Sequence, residues 1–172
     1  AVDCDMIVPV PDSGVPVALG YAQHTAIPFE MGITRSHYKG RTFIQPEQKI
    51  RNLGVKLKHS PMSLVKNKSV TLVDDSIVRG TTSKKIIQMV RAAGAKEVHL
   101  RIGSPPTVGP CYYGIDTPHR KELLASDHSV EEIRKYIGAD TLDYLSIDGL
   151  YKSVENGKCS GYCDACFTLD YI

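Results

Sequence analysis

At 172 residues and 42% hydrophobic content, the chain can bury one sizeable core and is most simply a single folded unit. Its 21 basic and 19 acidic side chains leave a formal charge of +2, which gives no reason to invoke nucleic acid or a membrane surface as a bulk partner. No apolar run approaches the roughly 20 residues that span a bilayer and no basic-then-apolar signal opens the chain, so a cytoplasmic location is expected.

In chain order, the first expected element is a strand at residues 6–10, which begins almost where the sequence does. With no initiating Met and no polar leader, the sequence reads as an excised piece of a longer protein. Cys4, just ahead of this strand, suits a core thiol better than a catalytic nucleophile. Asp12, Ser13 and Gly14 then form a tight turn before a helix expected at 15–25, and the amides of such a turn can make a nest for an anion. Taken alone, a plain helix cap explains this pentapeptide, VPDSG, at least as well. A second strand is expected at 28–33.

Residues 31–59 hold Arg35, Lys39, Arg41, Lys49, Arg51, Lys56 and Lys58 against the single acid Glu47. A solvated basic face would account for that bias. The segment 36–46 has little regular pattern and carries Tyr38, Phe43 and Ile44, the makings of a lid over an anionic ligand.

The run VTLVDDSIVRGTTS at 70–83 is the richest in chemistry. A buried strand at 70–73 ends in Asp74 and Asp75. A loop of small polar residues follows and opens into a helix at 82–93, whose apolar positions Ile86, Ile87, Val90 and Ala93 share one face. Unpaired amides at the helix start attract a phosphate, Gly80 lets the backbone come close, and Ser76, Thr81 and Thr82 add hydroxyl donors. Two carboxylates beside a phosphate would repel it, so they suggest sugar hydroxyls as partners, or a divalent cation between the charges. The generic alternative is a carboxylate helix cap with a solvated neighbour. A Walker loop is excluded, because its Gly-x4-Gly-Lys-Ser/Thr pattern is absent.

Beyond this point the expected elements are a strand at 97–102, a helix at 130–137 and a strand at 144–147, with Gly94 and Gly138 closing the two helices. Strands alternating with helices indicate an α/β fold with a mainly parallel sheet, whose ligands collect beyond the carboxyl ends of the strands. Residues 1–150 form the expected main domain and 151–172 a Cys-rich segment. There Cys159, Cys163 and Cys166 crowd together, and with Cys111 they point to metal rather than disulfides, four-thiolate zinc being one candidate. The histidines, His24, His59 and His99 among them, show no metal spacing and read as ordinary surface or packed residues.

The strings VPDSG, GRTFIQP, DDSIVRGTT, SPP, YGID and CDACFT, in this order along nearly the whole chain, resemble the type I phosphoribosyltransferases. Within them the likeness is to the glutamine-dependent amidotransferase branch. The resemblance implies that Asp12, Ser13 and Gly14 bind the diphosphate of phosphoribosyl pyrophosphate. Asp74 and Asp75 would hold the ribose, and Ser76, Arg79, Gly80, Thr81 and Thr82 would complete the substrate site. It implies magnesium at Ser13, Asp74 and Asp75, and a lid from which Tyr38 and Arg41 join catalysis. Arg35 and His37 stand where the family pattern has Lys and Arg.

The same resemblance implies a [4Fe–4S] subgroup in which Cys111, Cys163 and Cys166 are ligands and a fourth lies upstream of this chain. The implied reaction transfers ribose 5-phosphate to ammonia, giving 5-phosphoribosylamine and diphosphate at the start of purine synthesis. Glutamine would supply the ammonia through a glutaminase domain that nothing in these residues matches, in a homo-oligomer. A regulatory relative that senses phosphoribosyl pyrophosphate on DNA is the rival, and the sequence shows no helix-turn-helix or basic helix to serve it. A purely structural metal-binding domain is the other, and it leaves both phosphate loops unexplained.

Overall fold

The computed structural model describes residues 2–35, 59–61, 63–117, 119–155 and 161–171. Strands β1 (Met6–Pro9), β4 (Ser69–Asp74), β5 (Glu97–Ile102) and β6 (Thr141–Tyr144) form one parallel sheet in the order β1-β4-β5-β6. Its register sets Val8 beside Leu72, Leu72 beside Leu100 and Leu100 beside Leu142. A two-stranded antiparallel pair, β2 (Ile33–Arg35) with β3 (His59–Pro61), stands apart from it.

The helices are α1 (Gly14–Thr25), α2 (Thr81–Ala92), α3 (Val130–Ile137), α4 (Ile147–Glu155) and α5 (Ala165–Thr168). One face of the sheet, with Val8, Leu72, Leu100 and Leu142, packs on Ile86, Ile87 and Val90 of α2 and on Ile133 and Ile137 of α3 as the main core. On the other face Ile7 and Val73 meet α1 through Ala18 and Ala22, small residues four apart that let the helix lie close. Pro16 falls in the first turn of α1, where its missing N–H removes no helical bond.

Beyond α1 that second face turns polar, which is unusual for a parallel sheet. Ser69 Oγ donates to Glu97 Oε2 at 3.0 Å and lies 3.2 Å from His99 Nε2. His99 Nδ1 sits 3.0 Å from Thr141 Oγ1, which also accepts from Arg101 Nη1 at 3.0 Å. His99 is therefore a packed residue with partners on both ring nitrogens.

Two expected strands need correction. Residues 28–33 make only an isolated bridge, Phe29 to Ile7, because the chain turns as Gly32 N donates to Glu30 O. Regular pairing starts only at Ile33. The strand expected at 144–147 lies three residues earlier: β6 ends at Tyr144, and Ser146 Oγ accepts from Gly149 N at 3.0 Å, starting α4 instead. The boundary read at residue 150 lies inside α4. Gly138 caps α3 in the left-handed region, and Gly94 stands one place past the Ala93 cap of α2. Among the described residues, no helix is long and apolar enough to cross a membrane.

Candidate active site

Two loops leave the carboxyl ends of the adjacent strands β1 and β4. The first begins as Val10 N donates to Val73 O at 2.8 Å and closes as Gly14 N donates to Val10 O at 3.0 Å; its Pro11–Asp12 peptide is cis. A Cβ on Gly14 would stand 2.4 Å from Val73 O, so only glycine lets this loop lie on the end of β4. Ser13 Oγ then donates to Asp75 Oδ1 at 2.9 Å, joining motifs 62 residues apart. Ser13 makes no side-chain cap on α1, and the cap position of α2 is Gly80, so neither helix uses these polar side chains as caps.

The acidic pair is asymmetric. Asp74 is buried, its Oδ1 accepting from Asp75 N at 3.0 Å, while Asp75 is exposed and also accepts from Ser76 Oγ at 3.4 Å. Burial first, then the side-chain hydrogen bond and charge of Asp75, push the Asp74 carboxyl well above its ordinary range. A cation or hydroxyl donors in front of the pair would relieve this. Magnesium takes one or two protein carboxylates plus ligand oxygens, so Asp74, Asp75 and the Ser13 hydroxyl fit it.

Along the second loop Ile77 is buried in the core, Ser76 is half-buried, and Gly80 adopts φ 69° as the cap of α2. Thr81 and Thr82 open the helix, and the first-turn amides have no acceptor within it. Arg79 is exposed, and its Nε donates to Glu122 Oε2 at 2.7 Å. Asp12 is exposed on the first loop. Tyr38, Arg41 and His37 lie outside the described residues.

The cysteines sit at a different place. Cys111 is half-buried, and N–H groups of Tyr113, then Ile115, hold its thiol below the ordinary value. Burial, followed by the nearby Cys111 and Cys163, raises that of Cys166. The Cys166 carbonyl accepts from Val108 N and Gly109 N at 2.9 and 3.0 Å, and Tyr171 Oη donates to Pro110 O at 2.7 Å, so the C-terminal segment docks on this loop. Among the described residues no three His, Cys, Asp or Glu side chains gather closely enough to hold a metal. Cys111, Cys163 and Cys166 would supply three of the four thiolates that a four-iron cluster takes, and Cys159 lies outside the described residues.

No motif in the sequence pointed to Glu122, to Thr117, whose Oγ1 accepts from Cys111 N at 2.6 Å, or to Leu124, whose N–H donates to Val78 O at 2.9 Å.

A parallel sheet with two strand-to-helix loops meeting at its carboxyl edge defines a doubly wound α/β protein, a fold whose ligands collect at the strand ends. More narrowly, the chain belongs to the phosphoribosyl transferase domain family, which matches residues 3–102. It is 58% identical to amidophosphoribosyltransferase 1, chloroplastic, of Arabidopsis thaliana, over 99% of this chain and 30% of that protein. It is 53% identical to the amidophosphoribosyltransferase of Bacillus subtilis, over 99% and 37% respectively. The solved B. subtilis glutamine phosphoribosylpyrophosphate amidotransferase, complexed with ADP and GMP, superposes with a TM-score of 0.87 at 52% identity, covering 99% of this chain and 38% of that one. The chain thus spans about a third of the length of the curated relatives it matches.

Proposed function

We propose that this chain is the phosphoribosyl-transfer part of an amidophosphoribosyltransferase, moving the ribose 5-phosphate unit of phosphoribosyl pyrophosphate to ammonia at the opening of purine synthesis. The observation that carries the reading is the Ser13–Asp75 hydrogen bond, which ties the loop after β1 to the acidic pair after β4. Diphosphate departs from the anomeric carbon with the electron pair of the broken C–O bond. The ammonia lone pair forms the C–N bond, and a proton passes to solvent.

On this reading the Asp12–Gly14 amides and the Ser13 hydroxyl hold the departing diphosphate. Asp74 and Asp75 hold the ribose hydroxyls and face the positive charge that grows at the anomeric carbon, so stabilisation is electrostatic and positional. The start of α2, with Ser76, Arg79, Gly80, Thr81 and Thr82, takes the 5-phosphate. Magnesium at Ser13, Asp74 and Asp75 would neutralise the leaving diphosphate. Tyr38 and Arg41 serve as lid residues that exclude water. An iron–sulfur cluster on Cys111, Cys163 and Cys166 has no place in the chemistry.

Glutamine supplies ammonia through a glutaminase domain outside these residues, in a homo-oligomer. A reducing compartment, the cytoplasm, suits the four free thiols among the described residues. The test is diphosphate release from phosphoribosyl pyrophosphate with magnesium. This chain should respond to ammonium and not to glutamine, and Asp75→Asn and Ser13→Ala should each lower turnover about tenfold or more. Release that ignores ammonium, or that both variants leave unchanged, would sink the reading.

A further inference from the structure

We infer that Glu122 is a positioning residue for the phosphate loop, holding the Arg79 guanidinium away from the acidic pair so that both ends of the loop stay open to ligand. The inference rests on the proposed role of this loop in binding the sugar 5-phosphate. Within residues 75–79 the loop carries opposite charges at its two ends, Asp75 and Arg79. Left to themselves, an exposed carboxylate and a guanidinium on one short loop attract one another, and a collapsed pair would cover the groups meant for ribose and phosphate. Glu122 gives Arg79 a different partner, with Nε to Oε2 at 2.7 Å.

The backbone beneath Glu122 is fixed and is tied to the loop itself. Glu122 closes a 3-10 turn, Arg120–Glu122, with Glu122 N donating to His119 O at 2.8 Å and Leu123 N to Arg120 O at 3.0 Å. Leu123 is buried, and Leu124 N donates to Val78 O at 2.9 Å. The Leu124 side chain also lies where a Cβ on Gly80 would come within 2.5 Å. Two adjacent loop residues, Val78 and Arg79, are thus gripped by two residues of one anchored segment, the first through backbone and the second through charge.

The exposure of the pair separates this role from a structural one. The side chains of Arg79 and Glu122 are 41% and 47% exposed, so their attraction is screened and contributes little to stability. Its effect falls on where the guanidinium sits. Removing the Glu122 charge should therefore leave the fold alone and alter binding at one end of the substrate only.

Calorimetric titration with magnesium present, on wild type, Glu122→Gln and Glu122→Asp, decides the matter with three probes: phosphoribosyl pyrophosphate, ribose 5-phosphate and inorganic diphosphate. Glu122→Gln should weaken the two phosphosugars about five- to twentyfold, leave diphosphate within about twofold, and melt with wild type; Glu122→Asp, which keeps the charge, should recover part of the loss. Equal weakening of all three probes, unchanged phosphosugar affinity, or a melting temperature lowered by several degrees in both variants would each overturn the positioning role. Failure of wild type to bind phosphoribosyl pyrophosphate would overturn the proposed function instead.

Discussion

Burial sets Asp74 against its own ionisation. Because its carboxyl titrates well above the ordinary 3.8 when folded, its stabilising contribution is fully present below the unfolded value and is lost as pH rises through the folded one. Asp74→Asn should accordingly raise the melting temperature near neutral pH, and the gain should vanish as pH falls below the ordinary carboxylate range. The same change, like Asp75→Asn, should weaken phosphoribosyl pyrophosphate binding by up to about 3 kcal/mol. Melts across pH with parallel ligand titrations check both, and no stabilisation at neutral pH would contradict the account of Asp74. The acidic pair was legible in the sequence because its chemistry sits in adjacent letters. Glu122 was not, since it meets Arg79 across 43 residues with no periodicity to announce the contact.

Among the elements, glycine and serine placement decides which expectations held. Strands β1, β4 and β5 and helices α1, α2 and α3 fall within about two residues of their expected bounds, since apolar runs and capping signals agree there. Ser146 misled, because the apolar letters around it look like a strand while its hydroxyl starts a helix. Gly14→Ala should cost about 1–3 kcal/mol and abolish binding, since a methyl 2.4 Å from Val73 O forces the first loop off β4. Ser129→Ala offers the contrast. It removes the reciprocal box that Ser129 forms with Glu132 at the start of α3, and should cost about 1 kcal/mol in urea melts while phosphosugar affinity stays as in wild type. If both variants lost affinity alike, the loop would have no special dependence on Gly14.

Over the whole molecule, the C-terminal segment returns to the body through hydrogen bonds and through the Tyr171 ring, which packs on Tyr112 at 5.0 Å between centroids. The Cys166 carbonyl meets Val108 and Gly109, Tyr171 meets Pro110, and the Tyr151 hydroxyl on α4 donates to Asp164. This docking leaves the thiols unequal. Cys111, favoured as thiolate by backbone N–H groups, should alkylate faster near neutral pH than Cys166, which burial disfavours. Peptide mass mapping after brief iodoacetamide treatment reads the order, and equal rates would refute it. Anaerobic reconstitution of this chain should give fewer than four irons, since among the described residues no fourth thiolate gathers with Cys111, Cys163 and Cys166. The clustering of these cysteines was visible in the sequence, but their seating on the 108–111 loop depends on backbone bonds that no spacing reveals.

The polar row along β4, β5 and β6 makes the sheet intolerant of misalignment. Sliding β5 by one residue would turn His99 and Arg101 into the apolar core, where an unpaired polar group costs several kcal/mol. Sliding it by two would part His99 from Ser69 or Thr141. Hydrophobic strands of similar length could otherwise pair in several alignments. One imidazole between two hydroxyls acts as a key that only one alignment accepts, and through it the loop bearing Asp74 to Gly80 leaves β4 in fixed register with β5 and β6.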